Sequence, residues 1–172
     1  MATSVYRIRK ALRVPLVLDS ILLFTLILLS FFVKGTMPEK VLLIVLFIPL
    51  SYLCLEANTR RAETQGGNLR LTRLFRKREL AWPNITDVGI VIMRTKVYAV
   101  LTTTKGFHVL SNSYEDFYGL LKHIVDHVEK ERVEKEVLNL LENPVENRTN
   151  ILSAWAAAAF FCVIIFFKLF MN

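Results

Sequence analysis

The sequence predicts a membrane protein of mixed fold class, with three α-helical spans and one α+β domain between the second and third spans. Two observations predict it. Hydrophobic residues make up 53% of the 172 residues, and the excess over a typical soluble protein lies in three continuous apolar blocks. Between the second and third blocks the pattern changes, first to alternation of apolar and polar residues and then to helical spacing.

The first two blocks are predicted to form a helical hairpin. They run from about residue 14 to 33 and from about 41 to 57. About 20 residues, at ~1.5 Å each, cross a ~30 Å hydrocarbon core. A signal peptide is the alternative for the first block, but its apolar stretch would be only about 7–15 residues long. The second block is short and contains Pro49, so a re-entrant segment is its alternative.

The third block is rich in alanine, which suits either close helix packing or a span that faces lipid. Four basic residues and no acidic residue immediately precede the first block, and the hairpin loop has two basic residues. The positive-inside rule therefore places the N-terminus in the cytoplasm and the C-terminus outside. The predicted organisation is a basic segment with the hairpin (1–57), a cytoplasmic domain (58–142), a linker (143–150) and the third span (151–172).

One acidic residue, Asp19, falls inside the first block. An ionisable residue in a span is a functional hypothesis by default, because a charge is costly in hydrocarbon. The alternative is an interfacial position near Arg13 and the N-terminal basic cluster, since Asp19 lies about one turn from the cytoplasmic end. As an intramembrane polar site, Asp19 would support a small oligomeric transporter or channel component.

Residues 58–113 alternate and contain turn signals, which indicates short antiparallel strands in a small barrel or sandwich. Within the predicted strand 68–75, Leu69 and Leu71 are expected to face the core and the arginines to face solvent. Helical spacing then predicts one extended amphipathic helix over 114–142, with Ser113 as its N-cap. The remaining predicted strands are 60–64, 79–82, 85–94, 96–103 and 107–110.

Antiparallel strands closed by one C-terminal amphipathic helix resemble a pleckstrin-homology (PH) domain. The stretch 69–88 is similar to bacterial PH-like domains attached to membrane helices, with a W-x-x-I-x-x-V step at Trp82, Ile85 and Val88. The resemblance covers about 58–130, and a strand at its start is missing or vestigial. It implies an interaction domain on the cytoplasmic face of a bacterial membrane.

The sequence contains none of the common nucleotide-binding, nucleophile-elbow or zinc-protease motifs. We therefore predict a protein without enzyme activity, cofactor or metal. His123 and His127 are four residues apart on one predicted helix face, a spacing that can hold a metal ion. Surface histidines are the preferred interpretation, because Ile124 stands where a zinc protease needs its glutamate.

Charge is distributed unevenly along the domain. Residues 56–113 carry ten basic and four acidic residues, whereas 114–150 carry five basic and nine acidic residues. The positive half is predicted to face anionic lipid headgroups, although its basic residues are also explained by topology alone. No nucleic acid is expected, because no aromatic stacking platform interleaves the basic residues. The candidate membrane-surface residues are Arg70, Arg73, Arg76, Lys77 and Arg78.

The acidic second half of the predicted helix is the candidate docking element for a protein partner, by analogy with helix-in-groove recognition. Its candidate residues are Glu129, Arg132, Val133, Glu136, Val137 and Leu140. The predicted function is a non-catalytic membrane scaffold or accessory subunit. Its expected partners are the lipid bilayer and either another membrane protein or a second copy of the chain. A small transporter or channel component built on Asp19 is the alternative from a different class.

Overall fold

A computed structural model describes residues 4–33, 35–65, 67–94, 96–145 and 149–170. In chain order the elements are β1 (Ser4–Arg7), α1 (Lys10–Phe32), α2 (Met37–Thr59), β2 (Arg61–Gln65), β3 (Asn68–Arg73), β4 (Arg76–Ala81), β5 (Ile85–Met93), β6 (Lys96–Thr103), β7 (Gly106–Ser111), α3 (Phe117–His127), α4 (Lys135–Glu142) and α5 (Thr149–Phe170). Short 3₁₀ turns cover Trp82–Asn84 and Lys130–Arg132.

The chain divides into two compact units. A soluble unit contains residues 1–9 and 59–148, and a helical unit contains residues 10–58 and 149–172. Residues 4–9 therefore belong with the domain that follows the second apolar block, whereas the sequence analysis placed them in a separate basic segment with the hairpin. The predicted linker 143–150 lies partly outside the described residues, because 146–148 are not among them.

The soluble unit contains two antiparallel sheets, one of four strands in the order β1-β2-β3-β4 and one of three strands in the order β5-β6-β7. This confirms the mixed α+β class. Strands β5 and β6 agree with the predicted boundaries to within one residue, whereas β4 begins three residues earlier than predicted. Strand β1 was not predicted from the sequence, and it pairs with β2 although α1 and α2 lie between the two strands in the chain.

The segment around β1 is fixed by contacts beyond its pairing with β2. Ile8 is only 3% exposed and forms an isolated antiparallel bridge with Tyr114, which is 2% exposed. The next backbone amide, of Arg9, donates to the carbonyl oxygen of Ser113 at 2.9 Å. The connection between β7 and α3 therefore holds the N-terminal segment in the soluble unit.

Helix α3 supplies one wall of the core. Its buried residues are four of those that helical spacing predicted: Phe117, Leu120, Leu121 and Ile124. The helix begins after Asp116 rather than Ser113, because the Asp116 carboxylate accepts a hydrogen bond from the backbone amide of Gly119 at 3.0 Å. That contact satisfies one of the free amides of the first turn, which is the role of an N-cap.

The predicted continuous helix over 114–142 is wrong in its middle. Helix α3 ends at His127, and the chain is partly extended before α4 begins at Lys135. Val133 forms a parallel bridge with Val88 of β5, and the backbone amide of Glu134 donates to the Val88 carbonyl oxygen at 3.1 Å. A helix cannot make this contact because its backbone groups bond within the helix. Pairing with the edge of β5 therefore replaces helical continuation.

The helical unit contains three helices that are long and apolar enough to cross a membrane, considering the residues that the structure describes: α1, α2 and the 151–170 part of α5. Helices α1 and α5 pack together, and α5 buries Ala154 and Ala158, which lie one turn apart. Small side chains allow helix backbones to approach closely, which favours the packing interpretation of the alanine-rich block. Helix α2 contributes no buried residue.

Candidate functional site

The core-facing side of the β3–β4 hairpin changes from leucine to arginine towards its turn. Leu69 and Leu71 on β3 are buried, and Arg73 shares their side because alternate residues of a strand face the same way. Arg78 lies opposite Leu71 and Arg76 lies opposite Arg73 in the register of the hairpin. Arg73 is nevertheless exposed, as expected for the arginines of this hairpin, because the face that it shares with Leu71 is open to solvent near the turn.

Strand β7 forms the other wall. His108 lies opposite Leu101, a core residue with no exposed surface, so His108 points towards the inside of the unit. The guanidinium group of Arg73 donates to the carbonyl oxygen of Val109 at 3.1 Å, which connects β3 to β7. Between the two walls lies a cavity of about 220 Å³, which we call the arginine cavity, lined by Leu71, Arg73, Arg76, Arg78, Phe107, His108 and Val109.

The arginine cavity carries positive charge that the described residues do not neutralise. Neither Arg76 nor Arg78 has a carboxylate within ion-pair distance in the described part of the chain. Arg70 differs, because its guanidinium group lies 2.6 Å from the Glu79 carboxylate and 3.9 Å from that of Glu63. Arg76 and Arg78 thus remain available for an external anion.

The structure therefore divides the five predicted membrane-surface residues by strand face. Arg73, Arg76 and Arg78 line the arginine cavity. Arg70 and Lys77 occupy the alternate positions of β3 and β4, and so face the other side of the hairpin. Only the first three form one site.

The pKa of His108 depends on the charges that line the arginine cavity. Its pKa is lowered, first because it is partly buried and then because the positive charges of Arg78 and Arg73 oppose protonation. An anion bound beside those arginines would reduce their effect and raise the pKa of His108. Sequence analysis did not select this residue, although its alternation with Leu110 on β7 indicates that it faces the inside.

A second cavity adjoins the arginine cavity and shares Arg78 and His108 with it. It has a volume of about 200 Å³ and also includes Lys105, at the turn between β6 and β7. That turn is held by the Thr103 hydroxyl, which donates to the Gly106 carbonyl oxygen at 2.7 Å. Lys105 adds a further basic residue to the lining of this region.

The chemistry of this arrangement is that of a small anion site. Pockets for drug-sized ligands have volumes of about 300–1,000 Å³, so the arginine cavity suits a single compact group. Guanidinium groups present planar pairs of donors that match phosphate and carboxylate oxygens, and they stay charged at physiological pH. A phosphate group meets both requirements.

The predicted partner-docking residues are divided between surface and core. Val133, Val137 and Leu140 are 9%, 0% and 4% exposed, so they stabilise the fold and offer no docking surface. Glu129 and Glu136 are exposed. Arg132 is partly buried and donates to the Ile85 carbonyl oxygen at 3.0 Å, which holds the 3₁₀ turn against β5. A partner surface on this segment stays a prediction, carried by its exposed residues alone.

His123 and His127 lie beside Trp82. The centroid of the His127 ring is 4.9 Å from that of Trp82 and 4.5 Å from that of His123. The pKa of His123 is lowered, first by burial and then by the neighbouring His127. Within the described residues, no group of three potential metal-ligating side chains forms. The two histidines thus take part in an aromatic contact.

Asp19 is buried at 2% exposure on α1, where an interfacial position was the alternative expectation. Its Oδ1 atom has no hydrogen-bond partner among the described residues. The same side of α1 buries Leu23, Leu26 and Ser30, so the acid belongs to the packed face of the helix.

The sequence analysis missed an ion pair within the helical unit. The Lys168 ammonium group of α5 contacts the Glu39 carboxylate at the start of α2. Lys168 is near the C-terminal end of α5, and Glu39 follows the C-terminal end of α1 by a few residues, so α1 and α5 run parallel. The available signal was one acidic and one basic residue at the ends of two apolar blocks, but sequence alone does not show that these ends meet.

No family model matches this chain, and no curated protein or solved structure is significantly similar to it. The geometry of the chain's own residues therefore carries the functional argument. It defines an α+β unit with a small cationic cavity, joined to three helices of membrane-spanning length.

Proposed function

We propose that this chain is a non-catalytic membrane docking protein, in which a PH-like domain binds the phosphate of an anionic lipid headgroup in the arginine cavity. The observation that carries the proposal is the convergence of Arg73, Arg76 and Arg78 on one small cavity, with no carboxylate of the described residues at ion-pair distance from Arg76 or Arg78. A bound phosphate would offset this concentration of like charge and satisfy the guanidinium donors.

The order of the elements supports the PH-like assignment. A four-stranded and a three-stranded antiparallel sheet are followed by the amphipathic helix α3, which is the order that the resemblance implies, and the short helix α4 comes after it. Residues 4–7 supply a first strand, which accounts for the strand that 58–130 lacks. In this proposal, α1 and α2 are an insertion between the first two strands of the domain.

Because the domain is joined to helices of its own chain in the membrane, weak binding of a headgroup is sufficient to orient it. The cytoplasmic leaflet is rich in anionic lipid, which attracts each basic group near the surface by about 1 kcal/mol. A domain held at the membrane by its own helices meets these headgroups at a high effective concentration. Binding would therefore orient the domain on the membrane surface and present its acidic segment to a protein partner.

The test is binding of a headgroup fragment that has no acyl chain. Full-length protein in a non-ionic detergent is titrated with sn-glycerol 3-phosphate, and the ring signals of His108 are followed by NMR. The variant Arg76→Gln/Arg78→Gln removes two of the three cavity arginines. At about 1.5 kcal/mol for each lost hydrogen bond to a charged group and 1.4 kcal/mol for each tenfold change, the dissociation constant should rise roughly 100-fold.

The matched control is Arg70→Gln/Lys77→Gln, which removes the same charge from the other face of the same hairpin. Its dissociation constant should stay within about threefold of the wild-type value, since the control leaves the cavity unchanged and screening weakens distant charges. Equal weakening in both variants would show that the overall charge of the domain attracts phosphate, and the cavity would lose its assigned role.

One observation favours the alternative function, a small oligomeric transporter or channel component. The Asp19 carboxyl is buried on α1 with an oxygen that has no partner among the described residues, as is typical of intramembrane residues on ion or proton pathways. Replacement of Asp19 by Asn should then abolish ion or proton flux into proteoliposomes containing the purified protein. An unchanged flux, or the absence of flux in the wild type, would remove this candidate.

A further inference from the structure

The helical unit has an open groove at the end where α1 begins and α2 ends. Its volume is about 340 Å³, and it is lined by Lys10, Arg13, Val14 and Val17 of α1 and by Asn58 of α2. Because α2 buries none of its residues, the space between the two helices is not filled at this end.

One end of the groove is cationic. Lys10 and Arg13 are three residues apart on α1, so their side chains lie on neighbouring positions of the helix surface. Neither has a carboxylate within ion-pair distance among the described residues. The Nε atom of Arg13 is buried and has no hydrogen-bond partner there. A buried donor without a partner is costly, so an acceptor from outside the chain would stabilise this site.

The remainder of the α1 wall is apolar. Val14 and Val17 are 54% and 37% exposed and continue the stripe that starts at Lys10. From Lys10 to Val17 the helix rises about 10 Å, at ~1.5 Å per residue. The groove thus has basic side chains at one end and apolar side chains beside them. Their combined length suits a lipid headgroup followed by the first part of an acyl chain.

We propose that this groove binds one anionic glycerophospholipid, with its phosphate on Lys10 and Arg13 and an acyl chain along Val14 and Val17. Basic pockets between membrane helices on the cytoplasmic side are typical binding sites for such lipids. A free phosphate would make no use of the valines, and a zwitterionic lipid would gain less from the two charges because its own cationic group opposes them. The inference depends on insertion of α1 and α2 in a membrane, and it is independent of the arginine cavity.

The test is lipid retention by the full-length protein. Protein purified in a mild detergent is incubated with equal amounts of dioleoyl phosphatidylglycerol and dioleoyl phosphatidylcholine, and bound lipid is counted by native mass spectrometry. The wild type should retain one phosphatidylglycerol in clear preference to phosphatidylcholine. Arg13→Gln should lower this retention about tenfold or more, the effect of losing one hydrogen bond to a charged group. Arg7→Gln removes one charge from the same basic segment outside the groove and should leave retention unchanged.

A second pair of variants changes shape without changing charge. Val17→Trp fills the apolar part of the groove and should abolish specific retention. Val163→Trp places the same residue on the exposed surface of α5, where Val163 is 51% exposed, and should retain the lipid. Arg76→Gln/Arg78→Gln should also retain it, which separates this site from the arginine cavity. Equal retention of the two lipids, equal loss in Arg7→Gln and Arg13→Gln, or full retention in Val17→Trp would overturn the inference.

Discussion

Replacing Ile8 by alanine tests whether the residues before α1 form part of the core of the soluble unit. Ile8 is 3% exposed and bridges Tyr114. Truncating a buried isoleucine to alanine removes apolar contacts and leaves a cavity, which lowers the free energy of unfolding by about 2–5 kcal/mol. Val5 lies in β1 with 46% exposure, so Val5→Ala should change the same quantity by less than about 0.5 kcal/mol.

The assay is urea unfolding of the full-length protein in lipid nanodiscs, followed by the fluorescence of Trp82. Trp82 is 9% exposed in the soluble unit, and the second tryptophan, Trp155 in α5, is replaced by phenylalanine in every variant. For urea slopes of about 1–3 kcal/mol per molar, a loss of about 3 kcal/mol lowers the midpoint by roughly 1–3 M. Val5→Ala should leave the midpoint almost unchanged.

Equal and small shifts for Ile8→Ala and Val5→Ala would refute this reasoning. They would mean that the N-terminal segment only covers the edge of β2 and that Ile8 contributes no core packing. A large shift for Ile8→Ala alone would establish that residues preceding α1 in the sequence complete the core of the soluble unit.

Three further predictions concern the soluble and helical units. Since burial, Arg78 and Arg73 lower the pKa of His108, the unfolded state binds the proton more readily. The free energy of unfolding should therefore fall as the pH decreases through about 6.5, and His108→Gln should reduce the change in urea midpoint between about pH 7 and 5. Asp116→Ala removes the N-cap of α3 and should lower the free energy of unfolding by about 1 kcal/mol, whereas Glu115→Ala should have little effect; equal effects would contradict the cap assignment. Lys168→Met leaves Glu39 without its ion-pair partner and should lower the thermal midpoint in detergent, and the exchange Glu39→Lys/Lys168→Glu should recover most of the loss unless the pair contributes nothing.

Local pattern was sufficient to predict most of the secondary structure. The spans are visible as continuous apolar blocks, and β5 and β6 are visible as β-branched runs with a turn between them. The apolar face of α3 follows from helical spacing, and all four of its buried residues belong to that pattern. In each case the signal lies within about 20 residues of sequence.

The two features that were not predicted, β1 and the break in the helix, depend on contacts between residues far apart in the sequence. β1 contains only four residues, and its partner β2 lies beyond two membrane-length helices. The interruption of the predicted helix has a similar origin, because Val133 forms a β-bridge with Val88 and does not continue the helix. Intrinsic helix preference is a weak term that tertiary contacts often override.

Only part of the arginine cavity could be predicted from the sequence. The sequence indicated a basic cluster on β3 and β4, and the alternation of Leu69, Leu71 and Arg73 shows that Arg73 shares the strand face of the two leucines, where it lies exposed near the turn. The participation of His108 required knowing that β7 faces this hairpin across the cavity. Net charge along the sequence therefore located the strands of the site, whereas strand pairing decided which side chains form it.

The pairing of β1 with β2 also constrains membrane topology. These strands belong to one sheet, so residues 7 and 61 lie on the same side of any membrane that the chain crosses. The number of crossings between them is therefore even. Among the residues that the structure describes between these strands, α1 and α2 are the only helices, so either both span or neither does. Each has 23 residues and the apolar composition of a span, so a spanning α1 excludes a re-entrant α2, despite the proline within it.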